Sequence, residues 1–361
     1  IGGGSGGHVF PLVAVARALR EQAQRQEGIA LELMILAEDG LVRQAARGEQ
    51  IPFKRIVAGK LRRYLSPLIL LDVIKIPLGF LQSLWHVFWF MPDAVFSKGG
   101  YDSVAPALVA RLYFIPVFIH ETDALPGVAN RFISRLSRMV FISFASSAQY
   151  FPGGKTVLVG NPVRQELFSG AKGKALEFFK FSPEKRIVLI LGGSQGAQQI
   201  NTIVLEALVE LVRDYQVIHQ CGQSQYVAVK TEMDKDIAEG EGSYAETIQS
   251  RYRLYPFLDT NELTMAYAAC DMIVSRAGGS IFEFAMLGKP VIVIPLANSG
   301  SGHQLANAME FAKYGAVIVE GANMPPHILM SQISALLEPS RYAQVSQQIK
   351  SFAAPDAAEK I

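Results

Sequence analysis

The stretch RIVLILGGSQGAQQIN, residues 186–201, decides the fold: an apolar run, an abrupt glycine turn and the polar start of a helix. An apolar run of that length bounded by glycine reads as a buried parallel strand feeding a helix. The same kind of loop stands at the start of the chain, where IGGGSGGHVFP (1–11) carries GGSGG at 3–7 against GGSQG at 192–196. Each half therefore begins its own nucleotide-fold-like unit. Gly2, Gly4 and Gly7 also fit the G-x-G-x-x-G dinucleotide spacing, but a histidine and a proline follow at once. That spacing alone is weak evidence for any one ligand.

Working outward, the pattern repeats. Helix signals run through Val13–Leu19, and LELMILAEDG (31–40), DAVFSKGG (93–100), IPVFIHE (115–121) and RMVFISF (138–144) read as strands with sharp stops. The second half continues with QVIHQCG (216–222), DMIVSRAGG (271–279) and KPVIVIP (289–295). Short apolar runs alternating with helix-length stretches predict an α/β chain of two Rossmann-like domains with parallel sheets. Their ligands are expected in a cleft at the carboxyl ends of the strands. PGGKTVLVGNPVR (152–164) is the candidate hinge. The expected division is an N-terminal domain over 1–161, a C-terminal domain over 162–345 and a final helix over 346–361 returning to the first domain.

Composition agrees with a folded two-domain protein: of 361 residues, 50% are apolar and 18% charged, which excludes disorder. A net charge of +2 does not favour nucleic acid as a partner. Cys221 and Cys270 form no disulfide framework, metal motif or C-x-x-C, and both stand beside predicted strands as buried structural thiols. Their scarcity points to the cytoplasm. No signal peptide is visible; the chain opens on Ile1, at a loop that should follow a strand, so residues before it are expected.

One segment stands apart. Residues 60–93 are dense in Leu, Ile, Phe and Trp, with an uncharged run of 16 residues from Ile76 to Met91. That is short of the ~20 residues a spanning helix needs. It reads equally as a buried core helix or as an interfacial one. The second reading rests on Lys54, Arg55, Lys60, Arg62, Arg63 and Lys75 flanking it, and on the basic face of Arg131, Arg135 and Arg138. Basic residues beside apolar and aromatic ones suit an anionic membrane surface.

Glycine loops at strand ends offer backbone N–H groups and a helix N-terminus to phosphate oxygens. In the first loop Ser5 is placed to cap the helix, and His8 falls in its first turn, where the helix dipole favours the neutral, proton-accepting imidazole. In the second, Ser194 adds a hydroxyl. Arg164, after the hinge, can clamp a phosphate or be a plain linker charge. In SRAGGSIFEFAMLG (275–288) Glu283 falls near a first helical turn, where it can accept from a ribose diol or simply face the dipole. His303 and Gln304 open another helix.

GGGSGGHVFP, SKGGYDSVAP, IHETDALPGVANR, VLVGNPVR, LILGGSQGAQQIN, YPFLD, RAGGSIFE, HQLANA and AAPDAAEKI, in that order along nearly the whole chain, resemble the MurG family. This is a family of membrane-associated GlcNAc transferases of peptidoglycan synthesis with the GT-B fold. The resemblance implies transfer of GlcNAc from UDP-GlcNAc to the C4 hydroxyl of the MurNAc unit of lipid I. Configuration inverts, and the product is lipid II. It also implies a peripheral location on the cytoplasmic face of the plasma membrane, and no cofactor or metal is called for.

Residue by residue, Ser5, Gly6 and Gly7 match donor-site positions of the first loop, and His8 matches the candidate general base. Gly99, Gly100 and Tyr101 match the acceptor-side glycine loop, and Arg164 and Ser194 the diphosphate contacts. Leu258 matches the residue whose backbone reads uracil, and Glu283 the ribose-binding acid. Gln304 matches the glutamine reaching the donor sugar.

Three departures stand out. Glu121-Thr122-Asp123 replaces the commoner Glu-Gln-Asn, so Asp123 can accept from a sugar hydroxyl but not donate. The RAGGSIFE loop is one residue short, which bears on Gly279 and Ser280, and His303 precedes Gln304 where the family has a second glutamine. Three other readings remain: a GT-B enzyme with a different sugar donor or acceptor, an NAD-dependent oxidoreductase with Glu38 and Asp39 where a ribose acid would lie, and a non-catalytic lipid-binding protein, which would not need two phosphate loops and Glu283.

Overall fold

The computed structural model describes residues 1–3, 6–26, 28–59, 68–193, 196–239, 244–296, 302–320 and 325–361. Ser5 and Ser194, both singled out above, lie outside the described residues. The chain divides into two compact units, one of 1–164 with 354–361 and one of 165–353. These changes of unit compare with 161/162 and 345/346 in the reading from sequence.

The first unit carries strands β1 (Ile35–Ala37), β2 (Phe53–Arg55), β3 (Val95–Ser97), β4 (Val117–Glu121), β5 (Met139–Ile142) and β6 (Thr156–Leu158). Its helices are α1 (Gly6–Arg25), α2 (Leu41–Gly48), α3 (Leu68–Phe90), α4 (Val104–Leu112) and α5 (Val128–Ile133). Every ladder is parallel: β1 with β2, and β3-β4-β5-β6 in sequence order. An apolar cavity of about 640 Å³, lined by Leu12, Leu36, Val95 and Phe96 among others, lies between the two ladders. The β3–β6 core is aliphatic (Val95, Val117, Ile119, Val140, Ile142) and is closed on one side by Val109 of α4 and Val87 of α3.

The second unit carries β7 (Ile187–Leu191), β8 (Gln216–Gln220), β9 (Tyr252–Tyr255), β10 (Met272–Ser275), β11 (Val291–Val293) and β12 (Val317–Ile318). Between them run α6 (Lys172–Phe179), α7 (Gln198–Glu206), α8 (Leu208–Asp214), α9 (Tyr226–Glu239), α10 (Tyr244–Arg251), α11 (Thr260–Ala269), α12 (Ile281–Leu287) and α13 (His303–Ala312). The strand order β12-β11-β10-β7-β8-β9 is the doubly wound order, reversing between β7 and β10. All five residues of β7 are buried, which explains why that run is apolar throughout rather than alternating.

After α14 (Pro326–Leu337), α15 (Pro339–Lys350) still belongs to the second unit, packing on α12. Phe352 fixes its exit by ring contacts with Phe282, Phe311 and Tyr314 at 5.0, 5.3 and 4.9 Å. The chain then returns to the first unit through the short helix α16 (Ala357–Lys360), which packs on α1. Ala354 lies against Gly160, which is held at φ +83°, a conformation suited to glycine.

Lys60, Arg62 and Arg63 lie outside the described residues, but over residues 72–90 helix α3 is two-faced. Ser83 and Val87 are buried at helical spacing. By contrast Val73, Ile74, Leu81, Trp85, Phe88 and Trp89 are each more than half exposed. By length and composition Asp72–Phe90 would suffice to cross a membrane, yet one side of it is built into the unit's core.

Candidate active site

In the first unit the carboxyl ends of β3 and β4 converge on the opening loop. Lys98 N–H donates to Ile1 C=O at 3.1 Å, and Gly2 and Gly99 are so close that a Cβ on Gly2 would stand 2.6 Å from Gly99 O. A Cβ on Gly3 or Gly100 would stand 2.8 Å from an Asp102 carboxylate oxygen. These glycines are dictated by contact as much as by their dihedral angles.

His8 is the third residue of α1, in its first turn as read from the sequence. Its Nδ1 lies 3.1 Å from Gly3 C=O. An Nδ1–H donated to that carbonyl leaves the lone pair on Nε2, the tautomer a base needs. The imidazole pKa is lowered, first by burial and then by the Lys98 charge, against the Gly3 bond, Asp123 and Asp102. Burial and the Lys98 charge act in the same direction as the helix N-terminus on which the sequence reading rests.

Beneath His8 lies a cluster the sequence reading passed over. Lys98 is buried, and its Nζ donates to His120 Nδ1 and to Thr122 Oγ1, the latter at 2.6 Å. His120 Nε2 in turn donates to Gly160 C=O at 2.8 Å. Burial outweighs the pull of Glu121 and Asp123 and brings the Lys98 pKa down to about 7. Glu121, also buried, accepts from Asp123 N–H (2.9 Å), Gly127 N–H (3.1 Å) and Asn130 Nδ2 (2.9 Å). Burial and the Asp123 charge push its carboxyl up to about 7. The sequence signal was a lysine, a histidine and an acid at the very ends of apolar strands, where side chains leave the core and enter a site.

Of the other positions read from sequence, Gly6 and Gly7 open α1, and Gly99 and Gly100 sit at φ +85° and +94°. The Tyr101 hydroxyl donates to the Glu38 carboxylate, so the acid that an NAD reading needs for a ribose is engaged within the protein. Arg164 stacks its guanidinium over the Phe10 ring of α1 at 4.2 Å. That cation–π contact places Arg164 beside the opening loop. Asp123 follows β4, half-buried.

In the second unit the site forms at the reversal between β7 and β10. Gly193, at φ +79°, leaves room for Arg276: an added Cβ would overlap the guanidinium Nη2. Arg276 makes no hydrogen bond to another described residue, and burial lowers its pKa. A half-buried guanidinium against a glycine loop at a helix start suits a phosphate. Arg276 was legible only as the end of the strand in DMIVSRAGG.

Glu283 is the third residue of α12, buried, and accepts from the Tyr267 hydroxyl at 2.7 Å. Gly279 and Ser280 form the turn into that helix. Leu258 is buried, its N–H donating to Gln220 Oε1 at 3.3 Å. Gln304, in the first turn of α13, accepts from Leu296 N–H at 3.1 Å.

Two family models match this chain: the glycosyltransferase family 28 N-terminal domain over residues 1–142 and its C-terminal domain over 187–361. The fold is that of a GT-B glycosyltransferase. A Bacillus thuringiensis (strain Al Hakam) protein is 36% identical over 316 residues, covering 87% of this chain and 83% of its own length. It is named UDP-N-acetylglucosamine–N-acetylmuramyl-(pentapeptide) pyrophosphoryl-undecaprenol N-acetylglucosamine transferase 3. A Treponema pallidum (strain Nichols) transferase of the same type is 35% identical over 345 residues, 94% of this chain and 86% of that one. Among solved structures, Acinetobacter baumannii MurG superposes with a TM-score of 0.74 at 28% identity, covering 99% of this chain and 95% of that one. The chain belongs to the MurG family within glycosyltransferase family 28.

Proposed function

We propose that this enzyme transfers GlcNAc from UDP-GlcNAc to the C4 hydroxyl of the MurNAc unit of lipid I, with inversion, giving lipid II. The observation that carries the reading is His8, held by Gly3 so that Nε2 is free to accept a proton. In this mechanism Nε2 takes the acceptor hydroxyl's proton as the oxygen attacks the anomeric carbon and UDP leaves. The Gly192–Gly196 turn, the N-terminus of α7 and Arg276 stabilise the departing diphosphate, with Arg164 and Ser194 as further contacts. Glu283, steadied by Tyr267, accepts from the ribose, and Leu258 lies on the uracil side. Gln304 and Asp123 bind the donor sugar, Asp123 only as an acceptor. The first unit holds lipid I through Gly99, Gly100 and Tyr101, and the second holds UDP-GlcNAc.

The test is UDP release from UDP-GlcNAc with and without a lipid I analogue. Release that needs the acceptor supports transfer; release indifferent to it means hydrolysis and sinks the proposal. General-base help is typically worth about 10²–10⁴-fold. His8→Ala is expected to cost that much in turnover while UDP binding, measured calorimetrically, stays at the parent value.

The outer face of α3 supports a peripheral position on the anionic cytoplasmic face of the plasma membrane. Trp85, Phe88 and Trp89 continue into the exposed Leu112 and Phe114 at the end of α4, with Phe88 6.3 Å from Tyr113. Exposed Lys54, Arg55 and Arg111 carry positive charge in the same unit, as do Arg131 of α5, which packs on α4, and Arg135 and Arg138 beyond its end. A contiguous apolar patch with cationic neighbours suits anionic lipid. Trp85 and Trp89 are the chain's only two tryptophans. Their emission should shift to the blue with phosphatidylglycerol vesicles and much less with phosphatidylcholine ones.

A further inference from the structure

Glu38, the first residue after β1, is held from two neighbouring positions of the turn that follows β3. The Tyr101 hydroxyl donates to its carboxylate, and its own N–H donates to Asp102 Oδ2 at 3.3 Å. Among the described residues no ladder joins β1-β2 to β3-β6, so these contacts tie the carboxyl ends of the two sheets together. Asp102 is 3% exposed and stands against both the opening loop and the acceptor-side loop, at Gly3 and Gly100. The backbone around Tyr101 is fixed separately. Gly99 N–H donates to Ser97 Oγ at 3.1 Å, and Ser103 Oγ donates to Gly100 C=O at 2.7 Å. What remains to be set in this loop is the Tyr101 side chain, and Glu38 sets it.

A phenol carries one hydrogen, and an ionised carboxylate can only accept. The Tyr101 hydrogen is therefore given to Glu38. Burial together with that bond pushes the phenol pKa up, so the hydrogen stays in place across the neutral range. Tyr101 directly follows Gly100 and is only half-buried. With its hydrogen spent inside the protein, its oxygen can meet a ligand only as an acceptor. Hydroxyls and amide N–H groups suit it; a phosphate oxygen, itself an acceptor, does not. The Glu38 charge opposes an anion there as well.

We propose that Glu38 is a positioning residue for the acceptor: by taking the Tyr101 hydrogen it fixes the ring beside the Gly99–Gly100 turn and commits Tyr101 to a hydroxyl or amide N–H of lipid I, not to its diphosphate. The inference rests on Tyr101 lying in the acceptor site. It goes beyond that reading by naming the residue that sets the pose of Tyr101 and the class of group that Tyr101 meets.

The experiment measures KM for a soluble lipid I analogue in the full chain, for the parent, Glu38→Ala, Tyr101→Phe and the double variant. Glu38→Ala is expected to raise KM about 3–10-fold, the scale of one hydrogen bond, while calorimetric UDP affinity stays within about twofold of the parent. Tyr101→Phe is expected to raise KM at least as much. The double variant should be no worse than Tyr101→Phe, since Glu38 acts through the phenol. Glu38→Gln, whose carbonyl still accepts the phenol hydrogen, should recover the parent KM to within about twofold. Should Glu38→Ala fail to fold, judged by thermal unfolding, Glu38→Met takes its place, keeping the stem without the acceptor.

A KM that falls in Glu38→Ala means that the released phenol hydrogen serves the substrate better than the bonded one, and overturns the proposal. So does a KM that rises equally in the tyrosine and phenylalanine backgrounds, or that stays at the parent value in Glu38→Ala. If Tyr101→Phe leaves KM unchanged, Tyr101 is not in the acceptor site and the proposal falls, while acceptor-dependent UDP release still upholds the transferase reading. If UDP release from the parent is indifferent to the acceptor, the transferase reading fails by itself. The same four proteins are then judged on calorimetric binding of the analogue, with the same directions expected.

Discussion

The two glycine loops look alike in sequence, but the ground beneath them differs. Under the first lie Lys98, His120, Glu121 and Asp102, buried groups whose proton affinities are displaced toward their neutral forms. Behind the second is a neutral hydrogen-bond chain: Tyr252 hydroxyl to His219 Nδ1 (2.7 Å), His219 Nε2 to Asn201 Oδ1 (3.1 Å), and Asn201 Nδ2 to Cys221 C=O (3.0 Å). The only cation at its loop is Arg276, among the described residues, and a guanidinium does not titrate in the working range. One loop stands over titratable groups and the other beside a charge of fixed sign. Similar backbone motifs thus serve different chemistry according to what the neighbouring strands deliver.

That contrast can be broken most decisively at Arg276. If the second loop binds the diphosphate through a fixed charge, Arg276→Ala should weaken UDP by about 1.5–3 kcal/mol, or roughly 10–150-fold. Arg276→Lys should recover little, because an ammonium lacks the planar fork. Calorimetric UDP affinities within threefold of the parent would remove Arg276 from the site and with it half of the contrast.

A second test concerns the neutral chain. Burial lowers the His219 pKa to about 3, against about 6.5 in an unfolded chain. The unfolded state therefore binds the extra proton first, and the stability present above pH 6.5 is lost as pH falls toward 3. His219→Gln, which keeps a donor and an acceptor, should flatten that loss. Between pH 7 and 5 the parent should lose about 2 kcal/mol more than the variant in urea unfolding. Equal losses would mean that His219 is charged in the folded protein and that the second unit also stores titratable charge.

The smallest effect is expected at Tyr267. Tyr267→Phe removes one hydrogen bond to Glu283, worth about 1 kcal/mol, and should raise KM for UDP-GlcNAc severalfold with little change in kcat. A loss in kcat alone would place Glu283 in the chemical step instead of in ribose binding.

Much of the fold was legible. Residues 117–121, 139–142, 187–191, 216–220 and 272–275 form strands inside the apolar runs that announced them, because a parallel sheet covered on both faces demands such runs. Phe53–Arg55 and Tyr252–Tyr255 were not foreseen, since their charged and half-exposed side chains carry no such signature. LELMILAEDG was read as one strand, but only Ile35–Ala37 has a partner ladder. The second unit also holds on to residues 346–353, since Phe352 has its aromatic partners there. His8, Glu283 and Gln304 were legible as candidates because each opens a helix after a glycine turn.

The sequence by itself determined the two parallel-sheet units, their glycine loops and the family, since local periodicity and turn residues are written into neighbouring positions. Only the tertiary structure decided what stands behind each loop. Lys98 meets His120 and Thr122, and Arg276 meets Gly193, across strands far apart in the chain. Such non-local contacts, and the desolvation that displaces Lys98, Glu121 and His219 from their usual proton affinities, come into being only when the sheets assemble.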